Sequence, residues 1–173
     1  MKNIVVIGGT NHDIFAYAHH PIKLNDSNPG FLKDSYGGVG RNIAENLARL
    51  ELNPSFITTI GKDDIGQKII ESGSSVGIDF DVIETSKTPT YLAVLDNKKD
   101  MLVSVAAMDE LENITKTQFE IKEETIKQAD LLIVDTNFNP EVLGIFSREV
   151  LKKIKNCEQG NWEDQVPEGV AEI

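Results

Sequence analysis

The chain has 173 residues, a formal net charge of −11 and one cysteine. That length suits one domain with a core of its own, and 40% hydrophobic with 26% charged residues is an ordinary globular composition. The acidic balance argues against nucleic acid as a main partner, since phosphate binding needs a basic surface, and the lone Cys157 excludes an internal disulfide or a cysteine-held metal cluster.

Asn3 to Ile7 is an apolar, β-branched run that stops at Gly8-Gly9. It predicts a strand buried on both faces, as in a parallel sheet. The run is too short for a signal-peptide core, and no stretch approaches the ~20 apolar residues of a membrane span, so a cytoplasmic location is expected. Thr10-Asn11-His12-Asp13 follows at the carboxyl end of the strand, where open α/β sheets bind ligands. Asn11 and Asp13 are well placed there to hydrogen-bond hydroxyls. A turn-closing role for Asp13 is the competing reading. Ile14 to Ala18 predicts a short strand and His19-His20-Pro21 a loop. Adjacent histidines point to different sides of an extended chain, so no metal site is expected there. Asn25 to Gly30 is dense in turn residues, and Phe31 to Tyr36 returns as a strand. These two strands are too polar for a core sheet and suggest a small antiparallel flap.

Tyr36-Gly37-Gly38-Val39-Gly40-Arg41-Asn42 then places three glycines within four residues. Ile43, Leu47 and Leu50 follow at i, i+4 and i+7, so a glycine turn opens a helix over 41–52. The N–H groups at such a start lack helical partners. They hold a polar or anionic ligand, or the turn only packs a helix against a sheet; the local pattern leaves both open.

Pro54 to Ile60 predicts a second core strand. Asp63 or Asp64 caps a helix over 65–76, and Gly77 stops it. Phe80 to Glu84 is a strand. Thr88 to Leu95 and Met101 to Ala106 flank a polar loop as a hairpin, which joins the flap as a four-stranded lid. Asp109 to Lys116 is a loop, Thr117 to Ala129 a helix, and Asp130 to Asp135 a third core strand with Thr136-Asn137 at its carboxyl end. Asn139-Pro140 opens a helix to about Lys155. Residues 158–173 hold five acidic residues and no Lys or Arg, and read as a frayed tail.

Strands alternating with helices are the α/β signature. Gly61-Lys62 fails the P-loop spacing, and Gly38-Val39-Gly40 lacks the third glycine of a dinucleotide fingerprint. There is no GxSxG elbow and no HExxH.

At these residues the sequence resembles the N-terminal half of the PfkB-type, ribokinase-like sugar and nucleoside kinases. Gly8 to Asp13 is similar to that family's first strand and sugar-binding Asp. Gly37 to Ala44 is similar to its first signature. Asp26 to Gly30 and Tyr91 to Asn97 resemble the pseudouridine kinase branch. Val39 and Arg41 depart from ribokinase proper, which usually has Lys and a small residue at these places.

The resemblance implies a three-layer α/β/α, Rossmann-like fold over 1–155, incomplete, with a small antiparallel β lid at about 14–36 and 88–107. It implies a non-homologous acidic tail over 156–173. Asp13 then accepts hydrogen bonds from ribose hydroxyls, Gly38 and Val39 offer backbone groups, and Asn42 bonds another hydroxyl. Asn11, Thr136 and Asn137 line the same pocket, while Thr90 and Tyr91 cover it. Side-chain bulk at Gly38 would obstruct the sugar. The family's GAGD-type motif supplies a general base and an anion hole, and no GxGD occurs in this chain. No catalytic residue or metal ligand is therefore expected here, and ATP and Mg²⁺ belong to the full-length family member. The expected chain is the substrate-binding half of a kinase that phosphorylates a ribosyl hydroxyl, inactive alone, from a truncated gene or a fragment. The alternatives are a non-catalytic nucleoside- or sugar-binding module and a gene remnant. Its partners would be a nucleoside or sugar and a second copy, joined through the lid or an exposed sheet edge, with no nucleic acid or membrane.

Overall fold

The computed structural model describes residues 3–142, 144 and 170–172. In chain order its strands are β1 (Ile4–Ile7), β2 (Asn11–Ala18), β3 (Gly30–Gly37), β4 (Ser55–Gly61), β5 (Asp79–Thr85), β6 (Thr90–Leu95), β7 (Met101–Ala107), β8 (Leu131–Val134) and β9 (Val170–Glu172). The helices are α1 (Val39–Arg49), α2 (Asp64–Ser74) and three short ones, α3 (Asp109–Glu112), α4 (Lys116–Glu120) and α5 (Glu123–Lys127).

A parallel sheet runs in the order β5-β4-β1-β8-β9, with β1 at its centre. Every residue of β1 is buried, because its alternating side chains feed two cores. Val5 and Ile7 pack with Ile57, Leu111, Phe119 and Ile126 on one face. Ile4 and Val6 pack with Ala44, Ala48, Phe56 and Ile133 on the other. Each aliphatic side chain so buried contributes about 1.5–3 kcal/mol. Helices α1 and α3–α5 thus lie on opposite faces, which gives the expected three layers. The chain leaves β1 for β4 on one side and reaches β8 on the other. The crevice between β1 and β8 is therefore a topological switch point, where such sheets take ligands.

The second sheet, in the order β3-β2-β6-β7, is the four-stranded lid. It is mixed rather than antiparallel: β2 pairs with β3 antiparallel, β6 with β7 antiparallel, but β2 with β6 in parallel. The reason is that β2 follows β1 and β6 follows β5 out of the same edge of the core. His12 N–H donates to the Pro89 carbonyl at 2.8 Å where they meet.

Other boundaries differ from expectation. β2 starts at Asn11, so Asn11 and Asp13 stand on a lid strand instead of a connecting loop. The helix expected over 117–129 is broken at Ile121-Lys122, which turns Lys122 and Thr125 onto Asp81; the Thr125 hydroxyl donates to it at 2.9 Å. Residues 109–112, expected as loop, form a helical turn. Within the acidic tail, Val170–Glu172 pairs in parallel with β8. The helix from Pro140 is described only through 142 and at 144; its remainder, Cys157 and the rest of the tail lie outside the described residues. Among the described residues no helix is long and apolar enough to cross a membrane.

Asp63 is the cap of α2. Its Oδ1 accepts from Gly66 N–H at 2.8 Å and from the Thr88 hydroxyl at 2.7 Å, and its Oδ2 accepts from Thr88 N–H at 2.7 Å. It thereby ties α2 to the root of β6. Burial pushes the carboxyl up, but the bonds from Thr88 and Gly66 outweigh that and hold it below its ordinary value. A folded-state pKa below the unfolded one gives stability that is present above the unfolded value and lost as pH falls through the folded one. Asp63→Asn is expected to flatten the acid limb of the pH–stability curve. Asp63→Ala, which removes the cap as well as the charge, should cost about 0.5–2 kcal/mol at neutral pH, read from urea melts taken from neutral pH into the carboxylate range.

Candidate functional site

The site is assembled at the carboxyl ends of β1 and β8. Gly9 lies against Asn137, since a Cβ placed at Gly9 would stand 3.5 Å from Asn137 Cβ. From Gly9 the chain enters β2 and brings up Asn11 and Asp13. The Asn11 amide donates to Asp13 Oδ1 at 2.5 Å. Asn11 is buried and Asp13 half-buried. Burial pushes the Asp13 carboxyl up, and the Asn11 bond and the nearby His12 only partly offset it.

Gly37 is registered with Asn11 across β2 and β3. A Cβ at Gly37 would fall 2.1 Å from Asp13 Oδ2, so the missing side chain leaves the room that carboxylate occupies. Gly38 has φ +106°, and a Cβ there would meet the Gly9 carbonyl oxygen at 2.2 Å. The glycine at 38 is thus demanded by the protein's own backbone, where the sequence suggested clearance for a sugar. A Cβ at Gly40 would stand 2.6 Å from Gly8 Cα, and α1 begins pressed onto the end of β1.

Asp135 holds this junction. It is 2% exposed. Its Oδ2 accepts from Gly9 N–H at 2.9 Å and Gly40 N–H at 2.8 Å, and its Oδ1 accepts from Asn137 N–H at 3.0 Å. One carboxylate therefore joins the loop after β1, the start of α1 and the loop after β8. At the start of α1, Gly40 N–H goes to Asp135 and Arg41 N–H to the Gly9 carbonyl at 3.4 Å. Gly38 and Val39 N–H have no protein acceptor among the described residues.

The sequence-predicted residues fall into two sets. Asn11, Asp13, Gly38, Val39 and Asn137 gather around Gly9 and the glycine turn. Tyr91 is registered with Asp13 and shares its lid face. Thr90 is registered with His12 instead, on the opposite face, and its hydroxyl donates to the Thr88 carbonyl at 3.2 Å. Neighbours on a strand alternate, so the two cannot both cover one ligand. Asn42 and Thr136 are exposed at the rim. The Asn42 carboxamide oxygen accepts from Arg41 Nη1 at 3.3 Å, which leaves its NH₂ as the free donor. Asp135 was not singled out from sequence, and Gly37 and Arg41, though read as part of the glycine turn, were not assigned to the site. The one signal for Asp135 was a charged residue closing an apolar strand at its carboxyl end.

Chemically, the cluster offers a carboxylate acceptor at Asp13 beside the backbone donors of Gly38 and Val39 and the amides of Asn42 and Asn137. Such a set recognises vicinal hydroxyls, since one carboxylate takes two O–H donors at once. Each of the longer helices has one of its first N–H groups on a protein carboxylate, Gly40 on Asp135 at α1 and Gly66 on Asp63 at α2.

The pfkB family carbohydrate kinase profile matches residues 1–168. The chain is 35% identical over 143 residues to the pseudouridine kinase of Escherichia coli, covering 81% of this chain and 46% of that protein. It is 29% identical over 146 residues to the guanosine-inosine kinase of Exiguobacterium acetylicum, covering 83% and 48%. Among solved structures, a carbohydrate kinase from Agrobacterium tumefaciens superposes with a TM-score of 0.77 at 28% identity, covering 86% of this chain and 50% of that one. The chain spans about half the length of the relatives it matches, and its fold is the ribokinase-like α/β fold.

Proposed function

Because this chain belongs to the pfkB family of carbohydrate kinases, we propose that it is the sugar- or nucleoside-binding half of such a kinase, with pseudouridine as its ligand. The observation that carries the reading is the Asp13 carboxylate, steered by Asn11 and seated over Gly37 beside two free backbone donors. The similarity to a pseudouridine kinase supports the choice of nucleoside. In the parent reaction, ATP with Mg²⁺ supplies the phosphoryl group to a ribosyl hydroxyl. Here Asp13 would orient the ribose as a double acceptor, Gly38, Val39 and Asn42 would donate to its oxygens, and Tyr91 would close over it. Asn137, carried by the Asp135 clamp, and Thr136 would line the rim.

No GxGD motif of the kind that supplies the family's general base occurs in the sequence, which supports binding without turnover. The chain alone would bind without turnover, in the cytoplasm. The lid face opposite Asp13 carries Leu32, Val103 and Val105, all more than half exposed. A contiguous apolar patch of this kind favours a second copy as partner.

Calorimetry with pseudouridine, uridine and ribose tests the reading, with a coupled ADP-release assay and sedimentation on the same sample. Heat with pseudouridine, no ADP release and a dimer are expected. No heat with any of the three ligands would overturn the binding reading, and steady turnover by the chain alone would overturn the claim of inactivity. A monomer at all concentrations would remove the lid interface.

A further inference from the structure

Arg41 is 7% exposed, the only lysine or arginine among the described residues to be buried. A charge in such a place needs partners. Its Nη2 donates to Glu45, one turn along α1, at 2.7 Å. Its Nη1 divides two hydrogens between the Tyr36 carbonyl on the lid strand β3, at 3.0 Å, and the Asn42 carboxamide oxygen, at 3.3 Å. The guanidinium also lies 6.0 Å from the centre of the Tyr36 ring. Glu45 is held in turn by Arg49 at 2.6 Å, so the fork is anchored from behind.

The remaining donor, Nε–H, is buried with no acceptor among the described residues. A buried donor left unmade is costly, and an aliphatic side chain would fill the same space without it. That points to the two terminal nitrogens as the reason for an arginine here. Asn42 is exposed, so nothing crowds its carboxamide into one orientation. Turned over, the group would set its NH₂ against a guanidinium donor. The charge on Arg41 therefore holds the oxygen inward and both N–H bonds outward. The same Nη1 grips β3, so this setting of Asn42 depends on the root of the lid staying in place.

We propose that Arg41 is a positioning residue: it fixes the Asn42 carboxamide as a donor toward the pocket and ties that setting to lid strand β3. The ligand oxygen that meets Asn42 then does so as an acceptor. The inference rests on the binding reading above and adds to it a residue that itself touches no ligand.

The test is a double-mutant cycle on the full chain, with pseudouridine titrated into the wild type, Arg41→Lys, Asn42→Ala and the double variant. Lysine keeps the charge for Glu45, but a compact ammonium cannot span all three acceptors of the planar fork. Asn42→Ala removes one neutral hydrogen bond and should leave binding measurable. Arg41→Lys should weaken the nucleoside by about threefold to tenfold, the size of one hydrogen bond, and by less than about 1.5-fold where Asn42 is already alanine. Loss of structure weakens both backgrounds alike and cannot imitate that difference. Equal factors in the two backgrounds overturn the inference. Should the Arg41 variants not fold, Glu45→Gln decides in their place, since Glu45 is only half-buried and its charge anchors the fork. Its weakening of the nucleoside must likewise appear with Asn42 and vanish without it, and equal factors again overturn the inference. No heat with the wild type overturns the binding reading and this inference with it, whereas heat with equal factors overturns only the role of Arg41.

Discussion

Asp13→Ala is expected to abolish nucleoside binding without unfolding the protein. A hydrogen bond to a charged group is worth about 1.5–3 kcal/mol, and Asp13 is assigned two from the ribosyl diol, so affinity should fall by roughly a hundredfold or more. Stability should not fall with it. Burial holds the Asp13 carboxyl above its ordinary value, so the folded protein takes up its proton more readily than the unfolded chain. A carboxyl raised on folding costs stability where it is ionised, at neutral pH, and that cost fades as pH falls through the raised pKa. The variant should therefore melt at or above the wild-type temperature near neutrality. Binding by the wild type should follow the opposite trend, full above the raised pKa and lost below it, where the carboxyl can no longer accept from both hydroxyls. Calorimetry across the acid range, with a thermal melt at each pH, checks all three statements. Binding that survives Asp13→Ala would misplace the pocket.

Gly38→Ala should be the most damaging single methyl group in the chain. Two penalties act together. The backbone at Gly38, φ +106° and ψ 134°, belongs to a region that side chains rarely adopt, at a cost of order 1–3 kcal/mol. The added Cβ would also stand 2.2 Å from the Gly9 carbonyl oxygen and 2.9 Å from Thr10 Cα, both backbone atoms that cannot rotate away. Overpacking of this kind costs about 1–3 kcal/mol more. Together, about 2–6 kcal/mol, they are a large fraction of the about 5–15 kcal/mol that holds an ordinary protein folded. A urea melt should show a lower midpoint or no folded baseline. Val39→Ala, one residue on and exposed, should stay within about 0.5 kcal/mol of the wild type.

The sequence made the core legible because burial on both faces writes itself as an unbroken apolar run, as in Ile4–Ile7. The glycine turn was visible for the same local reason, but its purpose was not. Whether Gly38 spares a ligand or a carbonyl depends on Gly9, which sequence spacing does not bring near. The direction of β6 against β2 was also hidden, since local patterning predicts strands and hairpins but not which distant strand they adopt. Asp135 was hardest to see. Its partners Gly9 and Gly40 lie 126 and 95 residues away in the chain. A residue whose role is to join three loops carries no periodicity of its own. Thr90 and Tyr91 show a smaller limit: both were credible lid residues, and only the register reveals which shares Asp13's face.

The parallel pairing of β2 with β6 has a mechanical consequence. Both strands rise from the core at one end, through Gly9-Thr10 and through Thr88-Pro89, so the lid is a plate clamped along a single short side. Asp63 and the His12–Pro89 bond sit at that clamp, while the Asn25 and Asp96–Asp100 turns lie at the free margin. A small rotation at the clamp sweeps the margin through a much larger arc. Asp13, on β2 close to the root, would move little in such a rotation, and the strand ends beyond it would travel farthest.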